Sequence, residues 1–284
     1  MRTRGFSLVE LSVVLVILAL IGGVFTSMFM GLYDGQRATT TRNKLAAIDA
    51  ALVSFAAVNK RLPCPADGAG GAGTEVFVSQ DQPCVNQSRG VVPWVTLGLT
   101  ATDIEDAWGT RITYRVDPYL ARNNAMDMSN CDPAGTGVPS TSGAPPKPTC
   151  TVAGGVCAAA TLNYCVSPAS FLAPTTPKGV EIRDSVGGAV LMNPAGAIPT
   201  GAAYALISHG ENRAGGYGDG GQLLSSVKGV EGTNETQNRA DGSQAYYVDA
   251  PQRFVDDLTH FDDMVVRPSL MSVIQRAHLG PRSH

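Results

Sequence analysis

Charge is scarce in this sequence: Asp, Glu, Lys and Arg make up 16% of its 284 residues, the formal net charge is −3, and the basic residues form no cluster. A nucleic-acid footprint needs Lys and Arg concentrated on one face, so nucleic acid is not an expected ligand. The signatures of common chemistries are also missing. There is no Gly-x-Ser-x-Gly elbow, phosphate-binding loop, Cys-x-x-Cys pair or twelve-residue EF-hand spacing. The four histidines, His209, His260, His278 and His284, are scattered and include no pair at helical spacing for a metal. Gly216-x-Gly218-x-x-Gly221 formally matches a dinucleotide loop, but its glycines begin eight residues after Ser208 and no long helix follows. A surface loop needing positive φ is the expectation there. No residue is expected to be catalytic, and the protein is not expected to be an enzyme.

Charge is missing altogether between Glu10 and Asp34. The 22 residues from Leu11 to Leu32 reach about 33 Å as a helix, enough to cross a ~30 Å hydrocarbon layer. No Ala-x-Ala-like site follows, so this is a retained membrane span rather than an excised signal. Arg2 and Arg4 mark the cytoplasmic side, which places the remainder in the periplasm or outside. Glu10, a carboxylate at the edge of the apolar run, calls for a cationic partner.

The stretch Gly5-Phe6-Ser7-Leu8-Val9-Glu10 behind a basic leader resembles the N-terminus of type IV pilins and of type II secretion pseudopilins. The resemblance implies cleavage between Gly5 and Phe6 by a prepilin peptidase and methylation of the new amino terminus. It implies too that Glu10 pairs with the Phe6 amine of a neighbouring subunit during assembly. An α-amine is mostly protonated near neutrality and can neutralise a carboxylate in an apolar bundle, so the chemistry fits independently. The implied partners are the peptidase, other pilin or pseudopilin subunits, the membrane and an inner-membrane assembly platform. The implied location is the inner membrane, with the globular part in the periplasm, and later a pilus or pseudopilus that can reach the cell surface. The alternative is a membrane-anchored periplasmic receptor or enzyme with an uncleaved helix.

The expected fold is α+β: a long N-terminal helix, half membrane-spanning and half amphipathic, packed on an antiparallel sheet with long loops. The expected divisions are a leader (1–5), a membrane or filament-core helix (6–33), its amphipathic continuation (34–60) and a globular domain (61–284). Leu45, Ile48, Leu52 and Phe55 recur at steps of three and four along one face, and Leu62-Pro63-Cys64-Pro65 stops the helix. Expected strands are Val91–Leu97, Thr110–Val116, Leu162–Val166, Val180–Arg183, Ala189–Met192, Ala203–Ser208, Ala245–Val248 and Phe261–Val266. In Thr110–Val116, Ile112, Tyr114 and Val116 alternate with Arg111, Thr113 and Arg115, the pattern of a half-buried strand. Asp106-x-Trp108-Gly109 before it resembles the segment that enters a strand in pseudopilins. Pro268–Leu279 is expected to be a final helix with Leu270, Val273, Ile274 and Ala277 inward.

Gly and Pro together are about 18% of the chain, which predicts long loops, and Met128 to Cys150 is too poor in apolar residues to fold by itself. Six cysteines, Cys64, Cys84, Cys131, Cys150, Cys157 and Cys165, all follow the span, where disulfides persist. Fifteen pairings are open to six cysteines. The nearest-neighbour assignment is Cys64 with Cys84, Cys131 with Cys150 and Cys157 with Cys165. No cofactor is expected. Calcium is the one alternative, from the oxygen ligands Glu211, Asp219, Glu231, Asn234, Glu235 and Asp241, since some pseudopilins bind calcium in a late loop. The large globular part suggests a minor or tip subunit.

Overall fold

A computed structural model describes residues 8–79, 84–85, 89–123, 125–129, 178–195, 201–242 and 244–280, with 22–33 as backbone alone. Helix α1 spans Leu8–Asn59, 52 residues without a break, about 78 Å at ~1.5 Å per residue. Its second half buries one stripe, Thr41, Leu45, Ile48, Leu52 and Ala56, at the three- and four-residue spacing of a helix face. Val53 is buried beside them, whereas Phe55 stays half-buried with the Arg61 guanidinium 5.2 Å above its ring. Lys60, at φ 60°, ends the helix, its N–H returning to the Ala56 carbonyl.

The strands that follow are short: β1 Ala66–Asp67, β2 Gly90–Val91, β3 Thr110–Arg111, β4 Thr113–Val116, β5 Ile182–Arg183, β6 Val190–Met192, β7 Tyr204–Ser208, β8 Tyr217–Gly218, β9 Tyr247–Val248 and β10 Met264–Val266. Among the described residues two short α-helices accompany them, α2 Thr233–Asn238 and α3 Leu270–Arg276. Five strands form one antiparallel sheet in the order β1-β2-β4-β7-β10, with Thr113 opposite Ile207 and Val265 opposite Ile207 on its other side. A smaller sheet, β6-β5-β9, holds a parallel β5–β9 pair, and β3 pairs with β8. The fold is thus α+β, an N-terminal helix followed by an antiparallel sheet domain with loops. The segment expected as one strand from Val91 is only β2, because Trp94–Gly98 turns, with Leu97 N–H bonded to the Pro93 carbonyl. The strand expected at 162–166 lies outside the described residues.

Period two assigns the two faces of the five-stranded sheet. On one side Tyr114, Val116, Tyr204, Leu206 and Met264 pack with Leu45, Ile48 and Leu52 of α1 and with Leu270, Val273, Ile274 and Ala277 of α3. Each fully buried side chain of this kind contributes about 1.5–3 kcal/mol in transfer free energy. The α3 register is set by Ser269, whose Oγ accepts from Ser272 N–H as an N-cap. The Tyr204 hydroxyl donates to Asp49 Oδ1 at 2.6 Å, and Arg276 pairs with the same carboxylate, tying α1, β7 and α3 together.

The opposite side corrects the half-buried expectation for Thr110–Val116, since every residue of that segment is buried. Arg111 donates to the Gly68 and Asp219 carbonyls. Arg115 donates to Gly90 O at 2.9 Å and Ala240 O at 2.7 Å, with its guanidinium over the Tyr247 ring. A second layer, made of the small sheet and residues 209–263, covers this face. Val180, Ile182 and Met192 of that layer pack on Ala205 and Ile207 of β7.

Below the end of α1, Cys64 and Cys84 are joined by a disulfide, as the nearest-neighbour assignment has it. Arg61 clamps Glu75 with two bonds of 2.7 and 2.8 Å, and Glu75 also accepts from Cys64 N–H. Cys131, Cys150, Cys157 and Cys165 lie outside the described residues.

Candidate functional site

The amino half of α1 has no buried face. Leu8, Val9, Leu11, Val13 to Leu18, Leu20 and Ile21 are 46–86% exposed, on every side of the helix. An apolar surface of this extent, all round a helix, requires lipid or other helices as its surroundings. The one polar side chain within it after Glu10, Ser12, donates its hydroxyl to the Val9 carbonyl at 2.8 Å, which satisfies the group without water. Glu10 sits in the first turn, on the exposed surface, at the end where a carboxylate complements the helix dipole. Side chains of residues 22–33, which complete the expected span, lie outside the described set. Among the described residues no helix is long and apolar enough to cross a membrane.

Besides the Asp49 ties, polar contacts join the helix to the Asp106-x-Trp108-Gly109 segment and to the residues just before it. Asp106 Oδ1 accepts from the N–H groups of Trp108 and Thr110, and Oδ2 from the Ser208 hydroxyl at 2.7 Å. Gly109, at φ 80°, permits the turn. Thr41 of α1 accepts from Ala107 N–H, and Lys44 donates to the carbonyls of Thr102 and Glu105. Burial pushes the Asp106 carboxyl above its usual range despite the hydrogen bonds that favour the anion.

Behind the sheet lies a buried polar layer. The glycine-rich run 209–221 is mostly inside the molecule, which corrects the expected surface loop. Gly216 leaves room for Thr110 and His209, which a Cβ there would meet at 2.2 and 2.7 Å. His209 is fully buried, 2.8 Å from the Thr113 hydroxyl, and burial with Arg115 nearby pushes its pKa down to about 3. Glu235, at the start of α2, accepts from Gly232 N–H and Asn212 Nδ2 through Oε2, and from Asp262 N–H through Oε1. His260 Nε2 stands 3.7 Å from Glu235 Oε1 and 3.5 Å from Asp262 Oδ2. Burial pushes Asp262 up to about 6 and Asp263 well above the carboxylate range, with Glu235 adding to both.

Residues 1–26 match the prokaryotic N-terminal methylation motif. The chain carries a prepilin-type N-terminus. That motif is typical of type IV pilins and pseudopilins, and it implies anchoring in the inner membrane before assembly, processing by prepilin peptidase and assembly with pilins. Subunits of this kind are typically structural rather than enzymatic. No curated protein and no solved structure matches the chain.

Of the residues the sequence singled out for the prepilin-type terminus, Gly5 and Phe6 lie outside the described residues and Glu10 is on α1. Of the six oxygen ligands considered for calcium, Glu235 alone enters the cluster with His260 and Asp262. Those two histidine and aspartate positions were missed by sequence reasoning, although His260-Phe261-Asp262 carries a usable signal. In an extended segment, residues two apart share a side, so the two polar groups point one way and buried Phe261 the other.

Proposed function

We propose that this protein is a prepilin-like structural subunit, without enzymatic activity of its own. It is cleaved after Gly5 and built through its apolar helix into a type IV pilus or a type II secretion pseudopilus. Residues 1–5 are the leader, 6–33 the membrane and filament-core helix, 34–60 its continuation into the domain, and 61–284 the periplasmic or extracellular domain. Glu10 pairs with the Phe6 amine of a neighbour. The size of the domain favours a minor or tip subunit. The observation that carries this reading is the continuity of α1: one helix presents apolar side chains on all sides over 8–21 and a single buried stripe over 41–56. A domain held in this way offers its free helix end for packing among copies.

The experiment is intact-mass analysis of the full chain coexpressed with a prepilin peptidase. The expected product begins at Phe6, carries a methyl group, and is not formed from Gly5→Leu. A chain that keeps Met1, or is cut well inside the apolar run, overturns the reading.

A further inference from the structure

We propose that Glu235, His260 and Asp262 form a binding site for a divalent transition-metal ion of the zinc type, a separate matter from the assembly helix. The three ligand atoms lie within 4.8 Å of one another. The two separations about His260 Nε2, 3.5 and 3.7 Å, are close to the edge of a tetrahedral shell, about 3.3–3.4 Å for metal–ligand bonds of 2.0–2.1 Å.

The histidine tautomer points the same way. His260 Nδ1 is 2.8 Å from the Val255 carbonyl, which can only accept, so Nδ1 carries a proton; the neutral form of the ring with that proton has a bare lone pair at Nε2, facing the two carboxylates. Nε2 is buried with no hydrogen-bond partner. This arrangement, one ring nitrogen donating to a backbone carbonyl and the other aimed at oxygen ligands, is that of metal-bound histidine. The Asp262 oxygen that faces Nε2 is Oδ2, on a side chain only 2% exposed; it accepts one bond, from Asn212 N–H at 2.8 Å, and keeps a second lone pair for a metal.

Glu235, Asp262 and Asp263 are all buried close together. The nearby cationic side chains are engaged elsewhere, Arg239 with Glu231 and Asp241, and Lys228 with Glu211. A mixed set of one imidazole and two carboxylates suits zinc-like ions, whereas calcium and magnesium prefer oxygen alone. His260 and Asp262 line a cavity of about 270 Å³ beside Phe254 and Lys228, which leaves access for a fourth ligand such as water. The plain competitor is an imidazolium that neutralises the carboxylates while Glu235 caps α2. It leaves Nε2–H with no acceptor at hydrogen-bond distance.

The test uses the full chain in detergent micelles, purified without a histidine tag and stripped with a chelator. Titration with Co²⁺ is expected to give visible ligand-field bands saturating at one ion per chain. Zn²⁺ is expected to abolish the bands and raise the melting temperature, and Ca²⁺ to do neither. His260→Gln and Asp262→Asn are each expected to weaken Co²⁺ binding by at least the roughly 10–100-fold that loss of an outer-shell partner causes. A wild-type chain showing neither the bands nor a Zn²⁺-dependent melting shift overturns the proposal, as does His260→Gln binding as tightly as wild type. Equal stabilisation by Ca²⁺ overturns the choice of metal.

Discussion

The two halves of α1 obey the same helical geometry and end in opposite situations. From Thr41 to Ala56 one stripe finds its partners inside the chain, on the sheet and on α3. From Leu8 to Ile21 the apolar surface is continuous round the helix and has no partner inside the chain's described residues. Stability of the domain is therefore written in the second half, and dependence on an outside apolar medium in the first. Substitutions should separate the two cleanly.

The largest effect is expected at Glu10. In the filament reading, Glu10→Leu leaves an ammonium uncompensated in an apolar bundle, which costs about 3–5 kcal/mol per broken pair. Multimers captured by crosslinking should disappear while the amount in the membrane fraction stays unchanged. Glu10→Gln should fail largely as well, because it keeps the shape and loses the charge. Normal multimers from Glu10→Leu would refute the charge pair.

Leu52→Ala should do the reverse. Deleting this fully buried side chain is expected to lower domain stability by about 2–5 kcal/mol in urea melts, with membrane insertion intact. Next comes the bridge between Cys64 and Cys84, 20 residues apart, whose loss in Cys64→Ser is expected to cost about 3 kcal/mol in the chain-entropy model. An unchanged urea midpoint for either variant would contradict the packing described.

A smaller, pH-dependent effect is expected at His209. Its folded pKa is lowered from 6.5 to about 3, so the unfolded chain takes up the proton first and stability falls as pH drops below 6.5. Asp262 and Asp263, with raised pKa values, act in the opposite direction, gaining stability on acidification. The two trends separate in a comparison of variants: the deficit of metal-free His209→Gln relative to wild type should shrink by about 1–2 kcal/mol between pH 6.5 and about 5. A constant deficit across that range argues against a neutral buried imidazole. Smallest is Thr41→Val, which removes the acceptor of Ala107 N–H and should cost about 1–2 kcal/mol at the junction of the two halves.

Much of this was legible in the sequence because it is local. The stripe through Leu45, Ile48 and Leu52 and the inward face Leu270, Val273, Ile274 and Ala277 follow from period, and the strand expected at Ala203–Ser208 and found at Tyr204–Ser208 from a short apolar run between turns. Arg111 and Arg115 misled because alternation marks them as solvent-facing, while their actual partners are backbone carbonyls at Gly68, Asp219, Gly90 and Ala240, which no side-chain pattern reveals. The strand order β1-β2-β4-β7-β10 was likewise hidden, since it pairs segments far apart in the chain. His260 and Asp262 belong with Glu235 only once the chain between them has doubled back. For the prepilin-type terminus the opposite holds: its chemistry is contained in consecutive residues.

The unbroken run of α1 has a mechanical consequence. A pull along the helix axis is carried by backbone hydrogen bonds lying nearly parallel to it and reaches the domain over Thr41 to Ala56, about four turns. The load on the helix–sheet contact is then shear, shared by all the stripe's side chains together with the Lys44, Asp49 and Thr41 ties, instead of peeling them away one at a time. Beyond Asn59 the chain turns at Lys60 and is clamped within a few residues by Arg61–Glu75 and the Cys64–Cys84 bridge. The covalent crosslink thus stands just where the traction leaves the helix.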